Sequence, residues 1–141
     1  MRKRLLVLSG CIFSLSGAFA QSNLGDLLDL GAKKILKADY VATLPATVYA
    51  VWPDGKGERV WTFSPDGKIT GNEKHYASGA TSGSVGKWTM TDSGKICTSV
   101  RFTSWQGSRE ECRYFFRVGT DVYITLSDTA RATPVQKQIN R

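Results

Sequence analysis

The chain has 141 residues, of which 22% are charged, and 19 Lys and Arg stand against 12 Asp and Glu for a formal net charge of +7. That length is one domain. Arg2, Lys3 and Arg4 sit in a leading segment, and without it the excess falls to +4 with no basic run beyond Lys33-Lys34, so nucleic-acid binding has little support.

Met1 to Ala20 reads as an export signal. Arg2-Lys3-Arg4 is a basic start, Leu5 to Phe19 is apolar with small residues interspersed, and Ala18-Phe19-Ala20 is the small-x-small pattern that a signal peptidase accepts. The apolar run is broken by Ser9, Gly10, Ser14, Ser16 and Gly17, and it falls short of the ~20 residues a spanning helix needs. Leu8-Ser9-Gly10-Cys11 also resembles a lipobox, which would make Cys11 a lipidated N-terminus, although only Leu5 to Gly10 precedes it. Cleavage after Ala20 is the favoured reading and a lipoprotein anchored at Cys11 the lesser one. The expected layout is a signal peptide at 1–20, a helical lead-in at 21–46 and a β-barrel domain at 47–141. Of the three cysteines, Cys11 leaves with the signal, and in an oxidising compartment Cys97 and Cys112 most simply form one disulfide. Closing that loop contributes about 3 kcal/mol in the chain-entropy picture.

In the lead-in, Asn23 is a plausible N-cap, and Leu24, Leu27 and Leu28 recur at helical spacing on one stripe. Gly31 is a natural stop, with Lys33-Lys34 beyond the C-terminal end of the dipole. The spacing predicts a short amphipathic helix that packs on the sheet, because its polar face is acidic and unsuited to a membrane surface. Lys37 to Leu44 reads as a second helical turn or two, ended by Pro45. From Thr47 the period becomes two. Thr47–Trp52 and Arg59–Ser64 read as strands, and two Pro-Asp-Gly-Lys copies mark consecutive hairpins, since proline presets φ, aspartate bonds its own backbone and glycine tolerates positive φ. Lys68–Asn72 follows, and then Glu73 to Ser84 reads as the least structured stretch, with Ser78 to Ser84 a flexible loop.

The stretch from Val85 to Ser127 organises the rest as a four-strand meander, Val85–Met90, Lys95–Thr103, Glu110–Val118 and Val122–Ser127, with Cys97 and Cys112 on its second and third strands. Ala132–Ile139 adds a last strand that Pro134 confines to an edge. About eight short strands at spacings near ten residues are the pattern of an antiparallel barrel or sandwich. If Cys97 lies directly opposite Cys112, then Ile96, Val100 and Phe102 point away from the face of Tyr114, Phe116 and Val118. Either a bulge resets the register or both faces are covered.

Chemistry is sparse. His75 is the single histidine and reads as a solvated loop residue; a zinc site needs three or four ligands, and with both cysteines paired none assembles. Gly79-Ala80-Thr81-Ser82-Gly83 has threonine where a nucleophile elbow needs its serine, and Gly55-Lys56-Gly57 lacks the third glycine of a dinucleotide fingerprint. Glu110 and Glu111 are neighbours on a strand and face opposite sides. No metal or cofactor is expected. Trp52, Trp61 and Trp88 lie within strands, where core packing is the default. Trp105 falls in a polar loop at 104–109, placed either as a contact residue for a partner or glycan or folded back onto the rim. Arg113 and Arg117 share a face around Phe115 and could bind an anionic group, against the plainer reading of a solvated face with cross-strand ion pairs.

Phe63-Ser64-Pro65-Asp66-Gly67-Lys68-Ile69-Thr70-Gly71, then Gly86-Lys87-Trp88, Gly94-Lys95-Ile96-Cys97, Cys112-Arg113-Tyr114 and Gly119 before Tyr123 resemble a family of small exported bacterial proteins known only as a domain of unknown function. The resemblance covers most of the mature chain. It implies a lipocalin-like barrel in the periplasm or envelope and brings no catalytic residues with it. A looser likeness is to periplasmic inhibitors of lysozymes or proteases, without an inhibitor loop motif to secure it.

The sequence is therefore expected to form an exported, all-β, up-and-down or lipocalin-like barrel that binds rather than catalyses. The ligand is expected to be a small amphipathic molecule or a saccharide, with Trp52, Trp61, Trp105, Arg113 and Arg117 as candidate contacts. The alternative is a protein-interaction module, such as an inhibitor, acting through the 104–109 loop on an envelope protein. A monomer without a membrane span is expected, in the periplasm or secreted.

Overall fold

The computed structural model describes residues 22–52 and 54–138, so the expected signal peptide and Cys11 lie outside the described residues. Two short helices, α1 (Leu24–Asp29) and α2 (Lys37–Val41), flank a two-residue strand β1 (Lys33–Lys34). Eight strands follow: β2 (Ala46–Val51), β3 (Gly57–Phe63), β4 (Lys68–His75), β5 (Thr81–Met90), β6 (Ile96–Phe102), β7 (Ser108–Val118), β8 (Asp121–Thr125) and β9 (Val135–Lys137). Each pairs antiparallel with its sequence neighbour, so β2 to β9 form an up-and-down meander curled into a half-barrel. Across the gap between the edges, Gln136 Nε2 on β9 donates to the Val51 carbonyl on β2 at 2.8 Å. No helix among the described residues is long and apolar enough to cross a membrane.

Local chemistry explains the elements. Asn23 caps α1, its side-chain oxygen accepting from Asp26 N–H at 3.0 Å. Asp54 and Asp66 accept from Lys56 and Lys68 N–H in the two Asp-Gly-Lys turns, as the turn motif predicts. Period-two burial on β3 turns Arg59, Trp61 and Phe63 inward, and β5 does the same with Ser82, Ser84, Trp88 and Met90. The curl needs strand glycines. A Cβ on Gly71 would lie 2.0 Å from the Val60 carbonyl and one on Gly86 2.2 Å from that of Ser99, so only glycine lets these backbones close up.

The register question around the disulfide has a clear answer. Cys97 pairs directly with Cys112, their sulfurs are bonded, and the β6–β7 register runs unbroken from Ile96↔Arg113 to Arg101↔Ser108. No bulge intervenes, and both faces are covered. Inside, Ile96, Val100, Phe115 and Ile124 join the main core; outside, Phe116 and Tyr123 lie under Leu24 and Leu27 of α1, which have no exposed surface. Burying side chains of that size contributes about 1.5–3 kcal/mol each.

One expectation is corrected. The stretch 73–84 is not the least structured part and 78–84 is not a flexible loop: β4 runs to His75 and β5 starts at Thr81, leaving a short turn at 76–80. Its serines and glycine are small because they sit in a crowded ladder, where a Cβ on Gly83 would lie 2.6 Å from Thr103 Oγ1. Lys33-Lys34 follows the end of α1 as expected, and there it forms β1 and pairs with Phe116 and Arg117 on the edge of β7 that β6 leaves free.

Candidate functional site

The inward-facing surface has two ends. At one, α2 inserts Tyr40 among Phe115, Trp88 and Phe63, with ring centroids 5.6, 5.6 and 6.2 Å away. The interior void that Phe63 and Phe115 share with Trp61, Arg59 and Glu111 is ≈ 30 Å³, room for a water and not for an organic ligand, while a cleft of ≈ 260 Å³ opens at the surface beside Tyr40 and Phe115. Trp61 belongs to this filled interior, 3% exposed, and the Arg59 guanidinium lies 4.4 Å from its ring centroid. Trp61 is therefore packing, out of reach of a ligand at the surface.

The other end is open and charged. Arg59 on β3, Glu73 on β4 and Arg109, Glu111 and Arg113 on β7 share the inward face. Glu111 accepts from Arg59 and, through its other oxygen, from Arg113 Nε at 2.8 Å. Burial would push its carboxyl up, but Arg59 first and then Arg113 hold it below the usual carboxylate range. Glu73 is different. Its side chain has no exposed surface, neither carboxylate oxygen meets a hydrogen-bond donor in good geometry among the described residues, and its cation, Arg109, stands 3.6 Å away. Burial pushes its carboxyl above the usual range, and Arg109 and Arg59 only partly pull it back.

Aromatic rings line this open end. Trp52, just past β2, is half-buried against the Gly57 backbone, where a Cβ would lie 2.6 Å from its ring. Trp105, in the 103–107 connection, is half-buried and folds back, its ring centroid 5.9 Å from that of Trp52 and 5.6 Å from that of Phe102. His75, the last residue of β4, closes the rim 5.8 Å from Trp52. Two clefts meet here. One, of ≈ 280 Å³, lies among Trp52, Asp54, Arg109, Glu111 and Arg113; the other, of ≈ 380 Å³, runs from Trp52 and Arg113 past Leu126 to Pro134, Val135 and Gln136. Together they form a groove with a guanidinium wall, an indole at its centre and an apolar wall on which Leu126 is 65% exposed.

Of the five contact candidates drawn from the sequence, Trp52, Trp105 and Arg113 come together at this mouth. Trp61 lies below it. Arg117 lies at the far end of β7, exposed, beside a separate cleft with Val122 and Gln138, so it does not share a site with Arg113. Sequence reasoning missed Arg59, Glu73 and Arg109 as site residues. The available signal was parity: each has the same inward period as a tryptophan, an isoleucine or a phenylalanine of its own strand. Ser108 and Arg109, expected in the loop, begin β7. Among the described residues no three of His, Cys, Asp and Glu are grouped so that they could hold a metal ion. No family model, curated protein or solved structure matches the chain.

Proposed function

We propose that the protein is an exported, non-enzymatic binding module of the bacterial envelope that holds a small amphipathic or saccharide ligand at the open end of the half-barrel. One observation carries the reading: the ≈ 280 and ≈ 380 Å³ clefts meet at Trp52 and Arg113, so one ligand reaches a flat ring, a guanidinium and an apolar wall together. A concave, largely preformed surface with a few convergent polar groups is the usual form of a small-molecule site. The leader at 1–20, the Cys97–Cys112 disulfide and the likeness to small exported barrel proteins support placement in the periplasm or outside the cell. The filled interior limits the ligand to the mouth, unlike a deep lipocalin cavity.

The same filled interior favours a second reading, a protein-interaction module such as a hydrolase inhibitor. In that reading Trp105 is the anchor, although its ring is turned onto Trp52 rather than outward. Native mass spectrometry of the protein taken from its own envelope separates the two. Excess mass that leaves on denaturation is the expected result. A stoichiometric second polypeptide overturns the small-ligand reading in favour of the interaction reading.

A further inference from the structure

The mouth carries a chemical preference that its shape alone does not give. The Arg109 guanidinium lies beside two aromatic rings, 5.6 Å from the Trp52 centroid and 5.7 Å from that of Phe102. Its side chain lines the cleft, is 31% exposed, and makes no hydrogen bond among the described residues; its charge partner is Glu73 at 3.6 Å. Arg113, two inward positions further along β7 with Glu111 between them, spends Nε and one terminal nitrogen on Glu111 and lines both clefts. Three guanidiniums, Arg59, Arg109 and Arg113, therefore face two carboxylates, Glu73 and Glu111. The acid on the rim, Asp54, has one oxygen occupied by Lys56 N–H. A planar guanidinium without a hydrogen-bond partner among the described residues, flanked by two rings and partly desolvated, matches a planar or tetrahedral oxyanion in geometry and charge.

We propose that the group recognised at this mouth is an anion, a carboxylate, sulfate or phosphate, held by Arg109 and Arg113 beside the ring of Trp52. This rests on the binding-mouth reading and names the class of its ligand: acidic saccharides or anionic amphiphiles, rather than neutral ones. When the anion engages Arg109, it competes with Glu73 for the same cation. Glu73 is then left facing Arg59 across the β3–β4 pair, with Glu111 and His75 as its other titratable neighbours and the Trp52 indole N–H beside it. Glu73 is thus an internal competitor, and removing its charge frees Arg109.

The test is titration of the ¹⁵N-labelled protein with inorganic phosphate at fixed ionic strength, following the arginine Nε–Hε and tryptophan indole N–H signals. Saturable shifts at Arg109, Arg113 and Trp52 are expected, with affinity about 10-fold weaker in Arg109→Gln, as loss of a charge-assisted pair implies. Glu73→Gln is expected to tighten binding by about 3-fold or more, a change in the opposite direction that a damaged fold would not produce. Shifts that stay linear, or that spread equally over Arg101, Arg117 and Arg131, mean an adventitious ion only and overturn the proposal, as does unchanged affinity in Glu73→Gln. A second arm compares oligogalacturonate with its neutral methyl ester and decanoate with decanol. Equal binding within both pairs overturns the anion preference and leaves the binding mouth standing. Phosphate binding without response to any of the four overturns the mouth reading and leaves the anion site standing.

Discussion

The two ends of the curled sheet use the same inward positions of the same strands and reach opposite outcomes. On β3, Phe63 and Trp61 serve the closed end and Arg59 the open one; on β7, Phe115 serves the closed end while Arg113, Glu111 and Arg109 serve the open one. The closed end is stabilised by apolar burial, with Tyr40 of α2 packed among its rings. The open end buries charge, which stabilises little in net terms and is costly when a partner is missing. A fold that needed only stability would have filled both ends alike. That difference is the ground for proposing the open end, and not the closed one, as the binding surface.

The largest effects separate the ends by chemistry. Glu111→Gln leaves Arg59 and Arg113, whose side chains are 8% and 16% exposed, without their shared carboxylate. The expected loss is about 3–5 kcal/mol in urea unfolding, whereas replacing Arg59, Glu111 and Arg113 together by apolar residues of similar volume costs far less. At the closed end Tyr40→Ala opens a cavity among three rings and is expected to cost about 3–5 kcal/mol. Tyr40→Phe is expected to be neutral or slightly stabilising, since the buried hydroxyl has no hydrogen-bond partner among the described residues. A large loss in Tyr40→Phe would show that the closed end also depends on polar pairing.

An intermediate effect comes from pH, and the two carboxylates of the open end act with opposite sign. The folded chain holds Glu111 below the ordinary value of 4.5, so its contribution is complete above 4.5 and is lost as pH falls below it. The folded chain holds Glu73 above 4.5, so the cost of its charge is absent in acid and grows as pH rises from 4.5 through the raised value. Stability measured by urea unfolding across pH 3–8 should therefore peak in mild acid, with bounds set on general carboxylate values. Glu73→Gln should remove the decline on the neutral side and keep the decline on the acid side. Loss of both slopes, or of the acid one alone, would contradict the assignment.

The smallest stability effect is expected at the rim. Trp105→Ala removes a half-exposed ring that touches Trp52 and Phe102, and should cost about 1 kcal/mol or less while weakening ligand binding. A cost several times larger would make Trp105 part of the core rather than of the mouth.

Much of the fold was legible because turns and caps act locally. Asn23, the two Asp-Gly-Lys turns and the cysteine pair each impose their structure through atoms a few residues apart or through one covalent bond. The β4–β5 hairpin was not legible, because Ser82 and Ser84 are buried inward and Gly83 lies against the Thr103 side chain, and composition alone cannot separate such packing from flexibility. The site was harder still. Arg113 and Arg117 share a strand face, but four residues of extended chain span about 13 Å, enough to place them in different clefts. Arg59, Glu73 and Arg109 come from three strands, and their convergence depends on a register that no local signal carries.

The most direct test of a binding mouth opposite a packed end uses the four tryptophans as reporters, two at each. Indole N–H signals are followed while acidic oligosaccharide or anionic amphiphile is added. The account predicts saturable shifts at Trp52 and Trp105 with Trp61 and Trp88 unmoved. Shifts centred on Trp61 and Trp88, or none at Trp52, would contradict it.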